Sequence, residues 1–345
     1  MVIVSLLVFG ISTPLASAET AEEWFDEGVR LYQSQEYDSA LSSFEEAIKI
    51  DPNYKEAWNY RGLALRGLGW YKDAIGAFDR ATEIDPEYAE AWNNKGLALS
   101  EFLGESEKAI EAYDRAIESE PDYKEAWNNK GLELYYLAYS ENDSRRYEES
   151  LDAFDKALEI DPLYEDAMEN KVEVLTWLGR SEDAIGVYDR AIEIDPKLKY
   201  AWNGKGNALY FMGRYEEALV AYEEALEIEP NASDVMYNIG ITLVEMGEFE
   251  EAISSYDEAL KLDPEDVFIW SAKGGALMNL SRYGEAITAF DKALEMDPED
   301  RYAAEERGVA LERLRRERGY LISKTVLIIF GLLMVGYLIK RSAKK

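Results

Sequence analysis

Apolar residues recur along this chain in two interleaved sets at helical spacing. Between Lys55 and Pro86, Trp58, Gly62 and Leu65 fall at i, i+4 and i+7, and Ala74, Phe78 and Ala81 do the same. Each set occupies one face of a 3.6-residue helix. Gly69 interrupts between them, and Pro86 closes the unit because it cannot continue a helix. The pattern predicts a helix–turn–helix of about 34 residues.

The same register returns over 21–54, 55–88, 89–123, 124–164, 165–198, 199–232, 233–266 and 267–300. The closing prolines are Pro52, Pro86, Pro121, Pro162, Pro196, Pro230, Pro264 and Pro298; apart from Pro14 the chain has no others. Six units have 34 residues, the third has one more and the fourth seven more. The seven lie around Ala138–Arg146. They either extend both helices by about one turn or form a polar loop, and the Ser, Asn and Asp of that stretch favour the loop.

This pattern resembles the tetratricopeptide repeat family across residues 21–300. The family arrangement W-x2-L-G-x2-Y…A-x3-F…P finds its first aromatic in Trp24, Trp58, Trp92, Trp127, Trp202 and Trp270, replaced by Met168 and Met236 in the fifth and seventh units. Its glycine is Gly28, Gly62, Gly96, Gly131, Gly206, Gly240 and Gly274, with Val172 in the fifth unit. The second helix carries Phe44, Phe78, Tyr113, Phe154, Tyr188, Tyr222, Tyr256 or Phe290, each followed three residues later by alanine. The resemblance implies an all-α fold, a right-handed superhelical solenoid with the first helix of each unit on its concave face. The small residues let helices approach closely, and the rings fill the space between units. A buried ring hides roughly 150–250 Å², or about 4–6 kcal/mol before entropy is subtracted. No unit buries its rings alone, so stability comes from stacking.

The resemblance also makes the positions after the tryptophan partner contacts. Here they supply Asn59, Asn93, Asn94, Asn128, Asn129, Asn170, Asn203 and Asn238. An asparagine amide offers a donor and an acceptor at one tip, so a ladder of them suits an extended peptide backbone; the alternative is that they cap neighbouring helices or face water. Tyr135 and Tyr210, with Tyr136, Trp177 and Phe211, cluster near the ends of the middle first helices. They are either a patch for a partner's side chains or further packing between repeats. Arg61, Lys95, Lys130, Lys171, Lys205 and Lys273 stand where the family has leucine. They form either a row of cations for a partner's carboxylate or stems whose charges pair with nearby acids.

Composition narrows the chemistry. The chain has no cysteine and no histidine, which removes thiolate chemistry and the commonest general base and metal ligand. No catalytic, metal or cofactor site is expected. The net charge of −33 is unevenly divided: residues 313–345 hold nine basic and one acidic residue, and residues 1–312 hold 28 basic and 69 acidic. So acidic a body repels phosphate backbones, so nucleic acid is not an expected partner.

Residues 1–18 read as an export signal, an apolar run followed by Pro14 and Ala16-Ser17-Ala18. Asn142, Asn231 and Asn279 each open an Asn-x-Ser glycosylation pattern. Residues 301–320 begin as a ninth first helix, with Ala304, Gly308 and Leu311 at repeat spacing, and read as the cap of the array. Residues 321–339 then form an apolar span of about 28 Å as helix, followed by the basic tail 340–345. The expectation is a single-pass membrane protein, its repeats outside the cytoplasm and its tail inside, that holds a protein or peptide partner in its groove. The alternative is a structural spacer or self-associating array without a peptide ligand.

Overall fold

Asp–Pro ends most second helices, and the reason is local. The carboxylates of Asp51, Asp85, Asp161, Asp195, Asp263 and Asp297 each accept the amide two residues on, at 2.9–3.2 Å. That bond turns the chain at the proline, where helical hydrogen bonding fails. In the computed structural model, which describes residues 20–101 and 105–342, these turns separate a succession of helices, and no strand occurs among the described residues. Beyond Gly319 the description covers the backbone and the side chains of Thr325 and Ile328.

The chain divides into two units, Met1–Asn170 and Lys171–Lys345. The first contains α1 (Ala21–Gln33), α2 (Tyr37–Ile50), α3 (Lys55–Gly67), α4 (Tyr71–Ile84), α5 (Ala89–Glu101), α6 (Ser106–Ser119), α7 (Lys124–Glu141) and α8 (Ser144–Ile160), and the boundary falls inside α9 (Glu165–Trp177). The second contains α10 (Ser181–Ile194), α11 (Lys199–Phe211), α12 (Tyr215–Ile228), α13 (Ser233–Met246), α14 (Phe249–Leu262), α15 (Val267–Asn279), α16 (Tyr283–Met296) and α17 (Arg301–Ser342). In each unit a first helix packs on its own second helix, which packs on the next first helix. Neighbouring first helices also touch, whereas neighbouring second helices do not among the described residues. Within each unit the first helices therefore share one face.

The contact that sets helix spacing is a ring seated on a glycine. Phe44, Phe78, Tyr113, Phe154, Tyr222, Tyr256 and Phe290 are buried. Each lies so close to the glycine of its own first helix (Gly28, Gly62, Gly96, Gly131, Gly206, Gly240 and Gly274) that a Cβ there would come within 3.0 Å of a ring atom. The fifth repeat has Val172 instead, and its ring takes another seat. Tyr188 lies against Gly204 of the following repeat, where a Cβ would again meet ring atoms under 3.0 Å away. A valine stands at the usual glycine position, and a glycine six residues into α11 receives the ring instead.

A second link recurs at the tryptophans. The indole N–H of Trp58, Trp92, Trp127, Trp202 and Trp270 donates to the carbonyl of the preceding closing proline, each at 3.0 Å. The cation three residues on lies over the same ring and pairs with the preceding second helix. Lys95, Lys130 and Lys205 meet Asp79, Asp114 and Asp189 at 2.6 Å, and Lys273 meets Asp257. Of the two readings of this cation row, the structure places these members in inter-repeat ion pairs. In the seventh repeat Met236 and Ile239 replace tryptophan and lysine together and pack into the apolar cluster of α13–α17.

One expectation is corrected. The extra residues of the fourth repeat lengthen α7 to 18 residues and α8 to 17, leaving Asn142 in a left-handed cap rather than a polar loop. The hydroxyl of Ser150, which stands where other second helices have alanine, donates to the Gly131 carbonyl at 2.7 Å. Among the described residues of α17, Ala303 and Ala310 are buried, whereas Ala304 and Gly308 are exposed. The residues at repeat spacing would face a second helix of their own, but the chain continues as one helix through Ser342.

Ring-on-glycine packing predicts opposite signs for one substitution. Gly204→Ala or Gly62→Ala must displace a buried ring and is expected to cost about 1–3 kcal/mol. Gly76→Ala and Gly186→Ala lie in helix interiors with open space around the Cβ, and are expected to gain about 0.5–1 kcal/mol. Thermal or denaturant unfolding of the four variants reads both signs.

Candidate partner-binding face

The asparagines after the tryptophans meet one another across repeats. The amide of Asn94 donates to the side-chain oxygen of Asn59 at 3.0 Å, Asn129 to Asn93 at 2.9 Å, and Asn170 to Asn128 at 3.0 Å. In the second unit Asn238 donates to Asn203 at 3.1 Å. The sixth residue of one first helix thus reaches the fifth residue of the one before it. Asn59, Asn93, Asn94 and Asn128 are buried by this, and Asn129, Asn170, Asn203 and Asn238 are half-buried. An amide at this depth without a partner would be costly, so each pair meets a need created by close packing of first helices.

Two further groups complete the junction in the first unit. Asn59 also donates to the Tyr88 hydroxyl at 3.2 Å and to a Glu90 carboxylate oxygen at 3.1 Å. Tyr123 bonds Asn93 in the same way one repeat later. Burial, and then the charge of Glu90, push the Tyr123 hydroxyl up to about 12, and the same two causes raise Tyr88 further. Sequence reading missed these tyrosines as partners of the ladder. The available signal was a Tyr two residues after Pro52, Pro86, Pro121 and Pro162.

The rings at the helix ends separate by depth. Tyr135 is buried, with its ring 5.6 Å from Tyr136 and 6.1 Å from Tyr147. Tyr210 is half-buried between Phe211 and Tyr215, at 5.4 and 5.7 Å. The next residues point outward: Tyr136 is 55% exposed, Trp177 57% and Phe211 75%. Each is the thirteenth residue of its helix, seven beyond Asn129, Asn170 and Gly204 respectively. Two helical turns keep it on the same side as those residues. Sequence reasoning also missed Phe268, 73% exposed near the start of α15.

Among the described residues no group of three or more acidic, histidine or cysteine side chains is placed to hold a metal ion. Nor is any helix among them long and apolar enough to cross a membrane. The side chains of the expected span, residues 321–339, lie almost wholly outside the described residues, as do the expected export signal, residues 1–18, and residues 343–345 of the tail.

Family models described as tetratricopeptide repeat match residues 25–89, 102–162 and 135–198, and others of the same description match 77–111, 198–265 and 243–305. A crystal structure of a tetratricopeptide repeat protein from Parabacteroides merdae is similar at a TM-score of 0.51, covering 74% of this chain and 98% of that one. The two share 18% identity, so that likeness speaks to fold alone. No curated protein matches the chain.

The buried hydroxyls of Tyr88, Tyr113, Tyr123, Tyr222 and Tyr256 all ionise above the usual tyrosine range because burial disfavours the phenolate. The folded state therefore holds protons that the unfolded chain releases near pH 10, and stability is expected to fall as pH rises from about 10 upward. Denaturant midpoints across pH 8–12 should be flat at first and then decline. A constant midpoint to pH 12 would contradict the buried hydroxyls.

Proposed function

The chain belongs to the tetratricopeptide repeat family, and we propose that it is a membrane-anchored scaffold whose first-helix face holds a partner protein. Tetratricopeptide repeats generally mediate protein–protein interaction or scaffolding, and proteins built from them are typically not enzymes. The array of this reading is a right-handed superhelical solenoid with first helices on its concave side, and the protein is non-enzymatic.

The observation that carries the proposal is the exposure of Tyr136, Trp177 and Phe211 on the side where first helices meet. Rings of this size are held in water at a cost that a partner removes, and Trp and Tyr dominate measured contact energies. In each unit asparagine pairs join neighbouring first helices on this side. Each bonded amide nitrogen of Asn94, Asn129, Asn170 and Asn238 carries a second N–H that a partner's carbonyl can accept. The partner is a protein or peptide; the acidic body disfavours nucleic acid.

Anchoring rests on residues 321–339, with arginines at 313, 315, 316 and 318 before them and Lys340, Arg341, Lys344 and Lys345 after. An export signal over residues 1–18 places the repeats outside the cytoplasm. The full chain is then expected to resist extraction from membranes by alkaline carbonate, and Leu333→Arg, at about 2.5–3.5 kcal/mol of insertion cost, to weaken that resistance. Extraction of the native chain into the soluble fraction would end the anchoring proposal.

A second reading, a spacer without a ligand, draws on the inward-turned asparagine pairs. Crosslinked co-purification from membranes separates the two. A partner recovered with the native chain is expected to be lost with Tyr136→Ala and Phe211→Ala, surface changes that leave the core intact. Equal recovery with native and variant chains moves the contact off this face, and a native chain that recovers nothing supports the spacer.

A further inference from the structure

On the first-helix face of the second unit a hollow of about 370 Å³ opens between α13, α15 and α17. Ile241 and Val244 wall one side, Gly275 and Met278 the floor, and Tyr302 and Glu306 the other side. Register explains why space exists here. Gly275 is the ninth residue of its first helix, where the first four repeats carry Val29, Leu63, Leu97 and Leu132. Ala272, also at the hollow, is the sixth, where Asn94, Asn129, Asn170 and Asn238 stand elsewhere. Two side chains that fill this level in other repeats are absent together.

The polar groups at the hollow lean to one sign. Glu306 has no ion-pair partner among the described residues, while the adjacent Arg307 is turned away to Asp291. Glu305 lies nearby along the chain, as do Arg301 and Asp300, the latter's carboxylate accepting from Ser271 and the Ala303 amide; Tyr302 presents its hydroxyl 2.9 Å from where a Cβ on Gly275 would be. No cation lines the hollow.

We propose that this hollow is a specificity pocket for one aliphatic side chain standing next to a lysine or arginine in an extended segment of a partner protein. The proposal rests on the reading of the first-helix face as the partner-binding face. The volume sits at the low end of ligand pockets, about 300–1,000 Å³. It is large enough for one side chain. The aliphatic walls favour Leu, Ile, Val or Met. An ionised Glu306 only accepts hydrogen bonds, so it attracts a neighbouring cation and repels a neighbouring carboxylate.

The test uses the full chain in detergent micelles and three fluorescent decapeptides on a Gly/Ser background, carrying Lys-Leu-Lys, Glu-Leu-Glu or Lys-Ser-Lys. The native chain is expected to bind the first at least tenfold more tightly than the other two. Gly275→Leu restores the residue type of earlier repeats and fills the hollow; leucine is a better helix former than glycine, and unchanged helicity by circular dichroism checks the fold. It is expected to lose at least tenfold in affinity for the Lys-Leu-Lys peptide. Glu306→Gln, which keeps the shape, is expected to narrow the gap between the Lys-Leu-Lys and Glu-Leu-Glu peptides. A native chain that does not discriminate, or a Gly275→Leu chain that binds as the native does, overturns the pocket. Crosslinked partner recovery with the same variants separates the two proposals. Recovery lost with Phe211→Ala but unchanged with Gly275→Leu overturns the pocket alone, and recovery unchanged with both overturns the binding face as well.

Discussion

The seating of one aromatic ring on one glycine is the contact on which the repeats depend. In seven repeats it brings the second helix close enough to its first that no Cβ fits between them, and it buries a large ring at the same point. Interiors packed this tightly tolerate neither an added methyl nor a missing ring. The fifth repeat shows how strict the requirement is. With Val172 in the notch, Tyr188 sits against Gly204 of the next repeat. The ring moved, but it still rests on a residue without a Cβ.

Around that contact run two sets of links between repeats. On one side, tryptophan, lysine and aspartate join α5, α7, α11 and α15 to the second helix before each. On the other, asparagine pairs join neighbouring first helices. Individually these are weak: a partly exposed ion pair is worth about 0–1 kcal/mol, and a net hydrogen bond about 0.5–1.5 kcal/mol. Their effect lies in geometry, because each closes only at one offset between repeats. The seventh repeat replaces both halves of the tryptophan–lysine link with apolar residues, whereas the fifth keeps Lys171 beside Met168.

The functional reading follows from what these links leave uncovered. Asparagines turned to their neighbours make a polar floor, and the thirteenth residue of the middle first helices carries an exposed ring beside it. Farther along the second unit, α15 gives up bulk at two levels and opens a hollow with a carboxylate at its edge. Under the proposed reading, the exposed Phe211 and this hollow, both in the second unit, suit an extended segment, which presents side chains at intervals along its length.

Much of this was legible in the sequence. Prolines and paired apolar periods at a fixed interval marked the repeats, because both signals act within one helix or one turn. The notch and its ring were legible as a glycine and an aromatic in register. What the tertiary structure alone decided are relations between helices. Two asparagines side by side read equally well as a ladder for a ligand or as helix caps, and only the closeness of neighbouring first helices turned them on each other. Tyr135 and Tyr136 are consecutive and chemically alike, yet a rotation of about 100° along the helix buries one and exposes the other. The polar stretch of the fourth repeat matched a loop by composition, but α7 and α8 lengthen together through it. Sequence determines what each helix can present; the distance to its neighbour determines what is left to present it to.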